Sequence, residues 1–269
     1  MERAMVFPLY AIVDAEVLAR RGVSLEAFAE GLRAAGVGWV QYRDKVGSAQ
    51  VVLREAGVLR GVFPGSTSSN PSTSSGQALG HPVLIMNDRA DLAVLAGFDG
   101  VHVGQGDLLP EDAKAVVLRT RPTHRMGQGR DEWGTRIVEG AGEKATHPFA
   151  KDAKGWATRF GGGGGVVGVS THTEAQVRAA ELSGADYVAI GPVFATGTKA
   201  DAEAVVGLVG VRRARALTAK PLVAIGGITR ANARSVVEAG ADSVAVISGL
   251  FAPGESVEQV ARDFLEILR

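Results

Sequence analysis

Several short segments carry side chains that suit chemistry on a phosphorylated compound. In Gln41-Tyr42-Arg43-Asp44-Lys45, strand alternation sends Gln41, Arg43 and Lys45 to one side and Tyr42 and Asp44 to the other. An amide and two cations on one side suit a polar ring that bears an anionic tail. Arg supplies a planar fork for phosphate oxygens, and Lys a mobile point charge. Asn87-Asp88 and Gly104-Gln105-Gly106-Asp107 each follow a β-branched or apolar run. On neighbouring strand ends, Asp88 and Asp107 can share one hard cation, and Mg²⁺ is usually held by one or two carboxylates plus phosphates and water. The same residues also read as a solvated strand end, a helix N-cap (Asp88) and a turn (Asp107).

Further on, Gly191-Pro192-Val193-Phe194-Ala195-Thr196-Gly197-Thr198-Lys199 offers hydroxyls, backbone N–H groups and one cation, a combination that binds anions. Its alternative is a plain glycine-rich lid. Ile225-Gly226-Gly227-Ile228 opens a helix, and Ile247-Ser248-Gly249 ends the last strand. Loops of this kind, with a helix N-terminus, form the recurrent phosphate site of barrel enzymes. The histidines say less. His102 alternates with valines as a packed core residue would, and His172 fits a turn at least as well as a substrate contact. His81, His124 and His147 lie in or beside irregular segments. No Ser-His-Asp order or HExxH spacing supports hydrolysis.

The elements that must position these groups repeat a simple rhythm of apolar run, polar turn and helical period. Strands are expected at Leu9–Val13, Trp39–Tyr42, Val83–Met86, Gly100–Val103, Val166–Val169, Tyr187–Ile190, Leu222–Ile225 and Ser243–Ile247. Helices are expected near 24–35, 48–60, 89–96, 110–118, 173–183, 203–218, 229–239 and 256–268. Short apolar runs between helices read as parallel strands buried on both faces. Eight such units, with no dinucleotide fingerprint after the first strand, point to a single (β/α)8 TIM barrel spanning 1–269. Two insertions break the rhythm, both between a helix and the next strand. Residues 64–77 contain only Pro, Gly, Ser, Thr, Asn and Gln, which predicts a flexible loop. Residues 119–164 run into the five glycines Gly161–Gly165, and Phe149, Ala153, Trp156 and Phe160 have helical spacing. A short amphipathic helix from Pro148 to Gly161 is expected there. Both insertions should open on the face opposite the catalytic loops.

Composition narrows the classes. With 29 basic and 29 acidic residues in 269 the formal charge is zero, so no nucleic-acid footprint exists and any anion site must be local. Zero cysteines exclude disulfides, thiolate catalysis and thiolate metal ligands, and favour Mg²⁺ over Zn²⁺. The first residues lack the pattern of a signal peptide, and no apolar run approaches the roughly 20 residues that span a bilayer. A soluble cytoplasmic enzyme with no membrane partner is expected.

Taken in order, QYRDK (41–45), ND (87–88), GVHVGQGD (100–107), GVSTHT (168–173), GADYVAIGPVFATGTK (184–199), GL (207–208), VAIGGI (223–228) and GADSVAVIS (240–248) resemble the thiamine phosphate synthase family. Outside the insertions the resemblance covers essentially the whole barrel. It implies a Mg²⁺-dependent transferase that joins 4-amino-2-methyl-5-(diphosphooxymethyl)pyrimidine to thiazole phosphate, releasing diphosphate. On that resemblance Gln41, Tyr42, Arg43, Asp44, Lys45, Asn87 and Ser170 contact the pyrimidine diphosphate, with Lys199 on the leaving group. Arg43, Lys45 and Lys199 are the expected catalytic cations. Asp88 and Asp107 hold the metal, while Thr196, Gly197, Thr198, Gly227, Ile247 and Ser248 bind the thiazole phosphate. The resemblance also favours a homodimer. The chain departs from the family in its two insertions and in Gly57 and Gly61 within the second expected helix. Competing readings are a thiazole tautomerase of the same fold, a sugar-phosphate isomerase or lyase, and a non-catalytic phosphate-binding barrel. The QYRDK cluster and both aspartates argue against them.

Overall fold

The computed structural model describes residues 7–64, 82–119, 165–197 and 204–269. Strand and helix alternate along them. β1 (Leu9–Asp14) leads to α1 (Ala15–Arg21) and α2 (Leu25–Ala35), β2 (Trp39–Arg43) to α3 (Ala49–Val62), and β3 (Val83–Asn87) to α4 (Ala90–Leu95). β4 (Gly100–Val103) precedes α5 (Pro110–Arg119), β5 (Val166–Thr171) precedes α6 (Glu174–Leu182), and β6 (Tyr187–Ile190) precedes α7 (Gly207–Leu217). β7 (Leu222–Ile225) is followed by α8 (Ala233–Glu238), and β8 (Ser243–Val246) by a 3-10 turn (Ser248–Leu250) and α9 (Val257–Ile267). The strands pair in parallel in sequence order, and β1 also pairs with β8, closing the expected (β/α)8 barrel. No helix among the described residues is long and apolar enough to cross a membrane.

Period-2 alternation sorts each strand into two layers. Leu9, Ala11, Val13, Val40, Tyr42, Leu84, Met86, Val167, Val169, Val188 and Ile190 face the helices and form the outer core with Phe28, Leu32, Leu59 and Phe264. Tyr10, Ile12, Trp39, Val83, Ile85, Val166, Tyr187, Ala189, Val223 and Ala245 fill the barrel itself. Tyr10 stacks on Trp39 with centroids 4.2 Å apart, and Tyr187 meets Trp39 edge-on at 4.8 Å. Such a ring needs space from its neighbours. A Cβ at Gly168, paired with Tyr187 in the register, would lie 1.9 Å from the tyrosine Cζ.

Several boundaries differ from expectation. α1 is an extra helix: Asp14 Oδ1 accepts from the Val17 N–H at 2.9 Å to start it, and Gly22 at φ 64° stops it. Seven residues are too few to show an apolar period. α8 begins at Ala233 rather than 229, because Asn232 Oδ1 accepts from the Thr229 N–H at 2.8 Å and holds the segment as a turn. The strand interpretation of Ile247 is corrected too, since β8 ends at Val246 and the 3-10 turn follows. Apart from Pro64 and Arg119, both insertions lie outside the described residues, and so do Trp156, Phe160 and the helix expected from Pro148.

Candidate active site

The C-terminal ends of β2 to β5 surround a cavity of about 400 Å³. Arg43 ends β2 and Lys45 follows it, Asn87 ends β3 and Asp88 follows it, Gly104 to Asp107 form the loop after β4, and Ser170 lies in β5 with His172 just past its end. The register explains why they meet, since Asp14 pairs with Arg43 and Asn87 with His102.

Each charged group is held by a specific partner. Arg43 bonds the carboxylate of Asp14, whose side chain is only 1% exposed, and Lys45 bonds Asp88. Asp88 has φ 61°, the one non-glycine positive φ among the described residues, and its N–H donates to His102 O at 2.7 Å. Aspartate tolerates this left-handed conformation better than most side chains. Asp107 Oδ2 accepts from the Gly104 N–H at 2.8 Å. Burial holds the Asp107 carboxyl above its ordinary range; the nearby Asp88 carboxylate adds to this, while the Gly104 N–H and Lys45 oppose it. Two carboxylates this close form an arrangement that a cation relieves. No group of three or more His, Cys, Asp or Glu able to hold a metal exists among the described residues. A metal bound here would complete its shell from phosphate oxygens and water, which is the habit of Mg²⁺.

Below the cavity a buried polar chain crosses the barrel. Gln41 Nε2 donates to Tyr10 Oη at 2.7 Å, and Tyr10 Oη lies 3.0 Å from Tyr187 Oη. Tyr187 Oη is 2.9 Å from His102 Nδ1, and His102 Nε2 is 2.9 Å from Ser170 Oγ. Burial pushes the phenols of Tyr10 and Tyr187 well above the usual range, so both remain protonated. His172 serves a different end, its Nδ1 meeting Gly191 O at 2.6 Å to tie the loop after β6 to the cavity wall.

The other half of the mouth is built from backbone. The Val193 N–H donates to Ile225 O at 2.8 Å and the Phe194 N–H to Gly226 O at 3.0 Å, joining the loops after β6 and β7. Gly227 has φ 64°, and a Cβ there would lie 2.7 Å from Ala195 O; one at Gly249 would lie 2.5 Å from Ile228 O. Gly227, Ile247 and Ser248 occupy the loops after β7 and β8, and Thr196 and Gly197 the loop after β6, where a Cβ at Gly197 would meet nothing within 4 Å.

Among the sequence-predicted residues, Arg43, Lys45, Asn87, Asp88, Asp107 and Ser170 line one cavity. Gln41 is buried just beneath it, joined to the chain that ends at Ser170. Tyr42 is a correction: it faces the helices and donates to Glu55 of α3 at 2.6 Å, because alternation turns it away from Gln41 and Arg43. Asp44 is another, since its Oδ1 accepts from the Val46 and Gly47 N–H groups at 3.0 and 2.7 Å and shapes the turn after β2. Thr198 and Lys199 lie outside the described residues. Sequence reasoning missed Asp14, Tyr10 and Tyr187. The available signal was their phase, since Tyr10 and Asp14 alternate on one side of β1.

The fold and the site define an enzyme of the (β/α)8-barrel class. A family model described as thiamine monophosphate synthase matches residues 154–250. The chain is 40% identical over 262 residues to a thiamine-phosphate synthase of Koribacter versatilis, covering 97% of this chain and 95% of that one. It is 34% identical over 264 residues to a thiamine-phosphate synthase of Xanthobacter autotrophicus, covering 97% and 95%. A solved structure of thiamine phosphate pyrophosphorylase from Pyrococcus furiosus shares the fold with a TM-score of 0.64 at 24% identity, covering 97% of this chain and 95% of that chain. The chain belongs to the thiamine-phosphate synthase family.

Proposed function

We propose that this chain joins the aminopyrimidine diphosphate to thiazole phosphate, giving thiamine phosphate and diphosphate. The observation that carries the reading is the cavity in which Arg43 and Lys45 face Asp88 and Asp107. Two cations suit the diphosphate, and the paired carboxylates suit the metal that accompanies it. In the reaction the bond from the pyrimidine methylene to the diphosphate oxygen breaks, and the oxygen keeps the electron pair. The thiazole nitrogen then gives its lone pair to the methylene carbon. No protein nucleophile is required, in keeping with a chain that has no cysteine.

Arg43 is held in place by Asp14, so it meets the diphosphate without reorganising, the condition under which electrostatic stabilisation is most effective. Lys45 and Lys199 act on the same growing negative charge. Asp88 and Asp107 would hold Mg²⁺, which would neutralise part of the leaving group's charge when bound. Gln41, Asn87 and Ser170 orient the pyrimidine, and the loops bearing Thr196, Gly197, Thr198, Gly227, Ile247 and Ser248 anchor the thiazole phosphate. A tautomerase needs neither the cation cluster nor the carboxylate pair. The proposed setting is cytoplasmic and the proposed assembly a homodimer, and static light scattering on the purified protein would distinguish that dimer from a monomer of 27.8 kDa.

Turnover of purified protein with both substrates, with and without Mg²⁺, tests the reaction. Equal amounts of thiamine phosphate and diphosphate, formed only when both substrates and Mg²⁺ are present, are expected. Isomerisation of the thiazole compound alone would select the tautomerase reading instead.

A further inference from the structure

The buried chain Gln41–Tyr10–Tyr187–His102–Ser170 limits what its two ends can offer a ligand. Gln41 gives an amide proton to Tyr10 Oη at 2.7 Å, so Tyr10 passes its own proton to Tyr187 Oη, 3.0 Å away. Tyr187 then donates to His102 Nδ1 at 2.9 Å. A neutral imidazole whose Nδ1 accepts carries its proton on Nε2, which donates to Ser170 Oγ at 2.9 Å. Ser170 keeps its hydroxyl proton for the cavity it lines.

Tyr10 and Tyr187 are buried, and a hydroxyl proton left without an acceptor there is costly. The chain therefore has two satisfied polarities, running in opposite directions from end to end. In the polarity of the structure, Gln41 retains Oε1 as an acceptor for a ligand while Ser170 is a donor. In the reverse polarity Gln41 offers its NH₂ and Ser170 can only accept.

An isolated glutamine separates an amino group from a carbonyl poorly, because half a turn of its amide exchanges donor and acceptor. We propose that the Tyr10–Tyr187–His102 chain removes this freedom from Gln41 and makes the site selective for a 4-aminopyrimidine over its 4-oxo counterpart. The inference rests on the reading of the cavity as the pyrimidine diphosphate site. An amino group on the ligand meets the Gln41 acceptor. An oxo group requires the amide to turn, which reverses the chain and takes the Ser170 proton away from its ring-nitrogen or diphosphate acceptor. Tyr10 and Tyr187 are positioning residues that act through Gln41, His102 and Ser170. Gly168 belongs to the same device, since any side chain there would collide with the Tyr187 ring.

The test compares kcat/KM for the 4-amino substrate and its 4-oxo analogue, both as diphosphates, in the parent protein, Tyr187→Phe and Tyr10→Phe. The oxo compound lacks the electron-donating amine and is intrinsically slower, but that factor is common to the three proteins and cancels when their preferences are compared. A site built to pair a specific polar group discriminates strongly, so each variant is expected to lose at least about tenfold of the parent's amino preference. An unchanged preference in folded variants overturns the inference. Nitrogen-15 spectra of His102 provide a readout independent of turnover: the parent should carry its proton on Nε2, and Tyr187→Phe should mix the two tautomers. A parent protonated on Nδ1, or a variant with the parent's spectrum, also overturns it. Should Tyr187→Phe not fold, Tyr10→Phe and the parent spectrum decide the matter. A parent that makes no thiamine phosphate from the amino substrate would sink the proposed reaction instead, a failure separate from that of the hydrogen-bond chain.

Discussion

Asp14→Asn isolates the contribution of one buried carboxylate to stability and to the cavity. Oδ1 of Asp14 caps α1 through the Val17 N–H, and Oδ2 holds Arg43. The two side chains are 1% and 13% exposed. Asparagine caps a helix about as well as aspartate, so its oxygen should stay on Val17 and turn its NH₂ against the guanidinium, donor against donor. Removing one partner of a buried ion pair costs about 3–5 kcal/mol. Arg43 borders the cavity and can reach water, which places the expected loss lower, at about 2–3 kcal/mol. Asp14→Ala loses the cap as well and should cost about 1 kcal/mol more. Urea unfolding of the three proteins measures both steps. Kinetically, an untethered Arg43 should raise KM for the pyrimidine diphosphate by about tenfold, equivalent to about 1.4 kcal/mol. KM for thiazole phosphate should not change. An asparagine variant with the parent's stability and KM would refute the claim that Asp14 holds Arg43 ready.

Other outcomes follow from the same geometry. Asp88→Asn or Asp107→Asn should reduce Mg²⁺-dependent turnover by at least about a hundredfold with the circular dichroism unchanged, on the scale of losing one charge-stabilising group; a variant that keeps most of its rate is not a metal ligand. Gly57 and Gly61 lie within α3, and a Cβ at either meets nothing within 4 Å. Gly57→Ala and Gly61→Ala should each stabilise the protein by about 0.5–1 kcal/mol in urea unfolding, and a loss would show that α3 faces something else. In the sequence the insertions 64–77 and 119–164 come between α3 and β3 and between α5 and β5, and connections of that kind leave a barrel at the end opposite its catalytic loops. Replacing each by a short turn should leave kcat within a few-fold; a folded deletion that lost turnover by orders of magnitude would place that segment at the active site.

The barrel was legible because strands buried on both faces appear as apolar runs, and their polar continuations mark the ends where chemistry sits. That logic found Arg43, Lys45, Asp88 and Asp107 at strand ends without knowledge of their contacts, while Ser170 came from the family resemblance. The resemblance extended the site to Tyr42 and Asp44, whereas alternation already turned both away: Tyr42 faces α3 and the Asp44 carboxylate closes a turn. Asp14, Tyr10 and Tyr187 were missed for another reason. Each is unremarkable within its own strand and gains meaning only when closure brings β1, β2, β4, β5 and β6 around one interior. Likewise α1 depends on a single capping aspartate and a left-handed Gly22, not on a periodic pattern.

The most direct measurement of the central claim is a crystal structure with a non-reacting pyrimidine diphosphate analogue and Mn²⁺ as an anomalous substitute for Mg²⁺. One metal peak is expected at about 2.0–2.3 Å from carboxylate oxygens of Asp88 and Asp107, as for a small hard cation with oxygen ligands. The diphosphate should lie between that metal and the Arg43 and Lys45 side chains, with the pyrimidine reaching Gln41 and Ser170. A metal bound away from both aspartates, or a diphosphate seated only on the loops at Gly227 and Ser248, would contradict this assignment of the site.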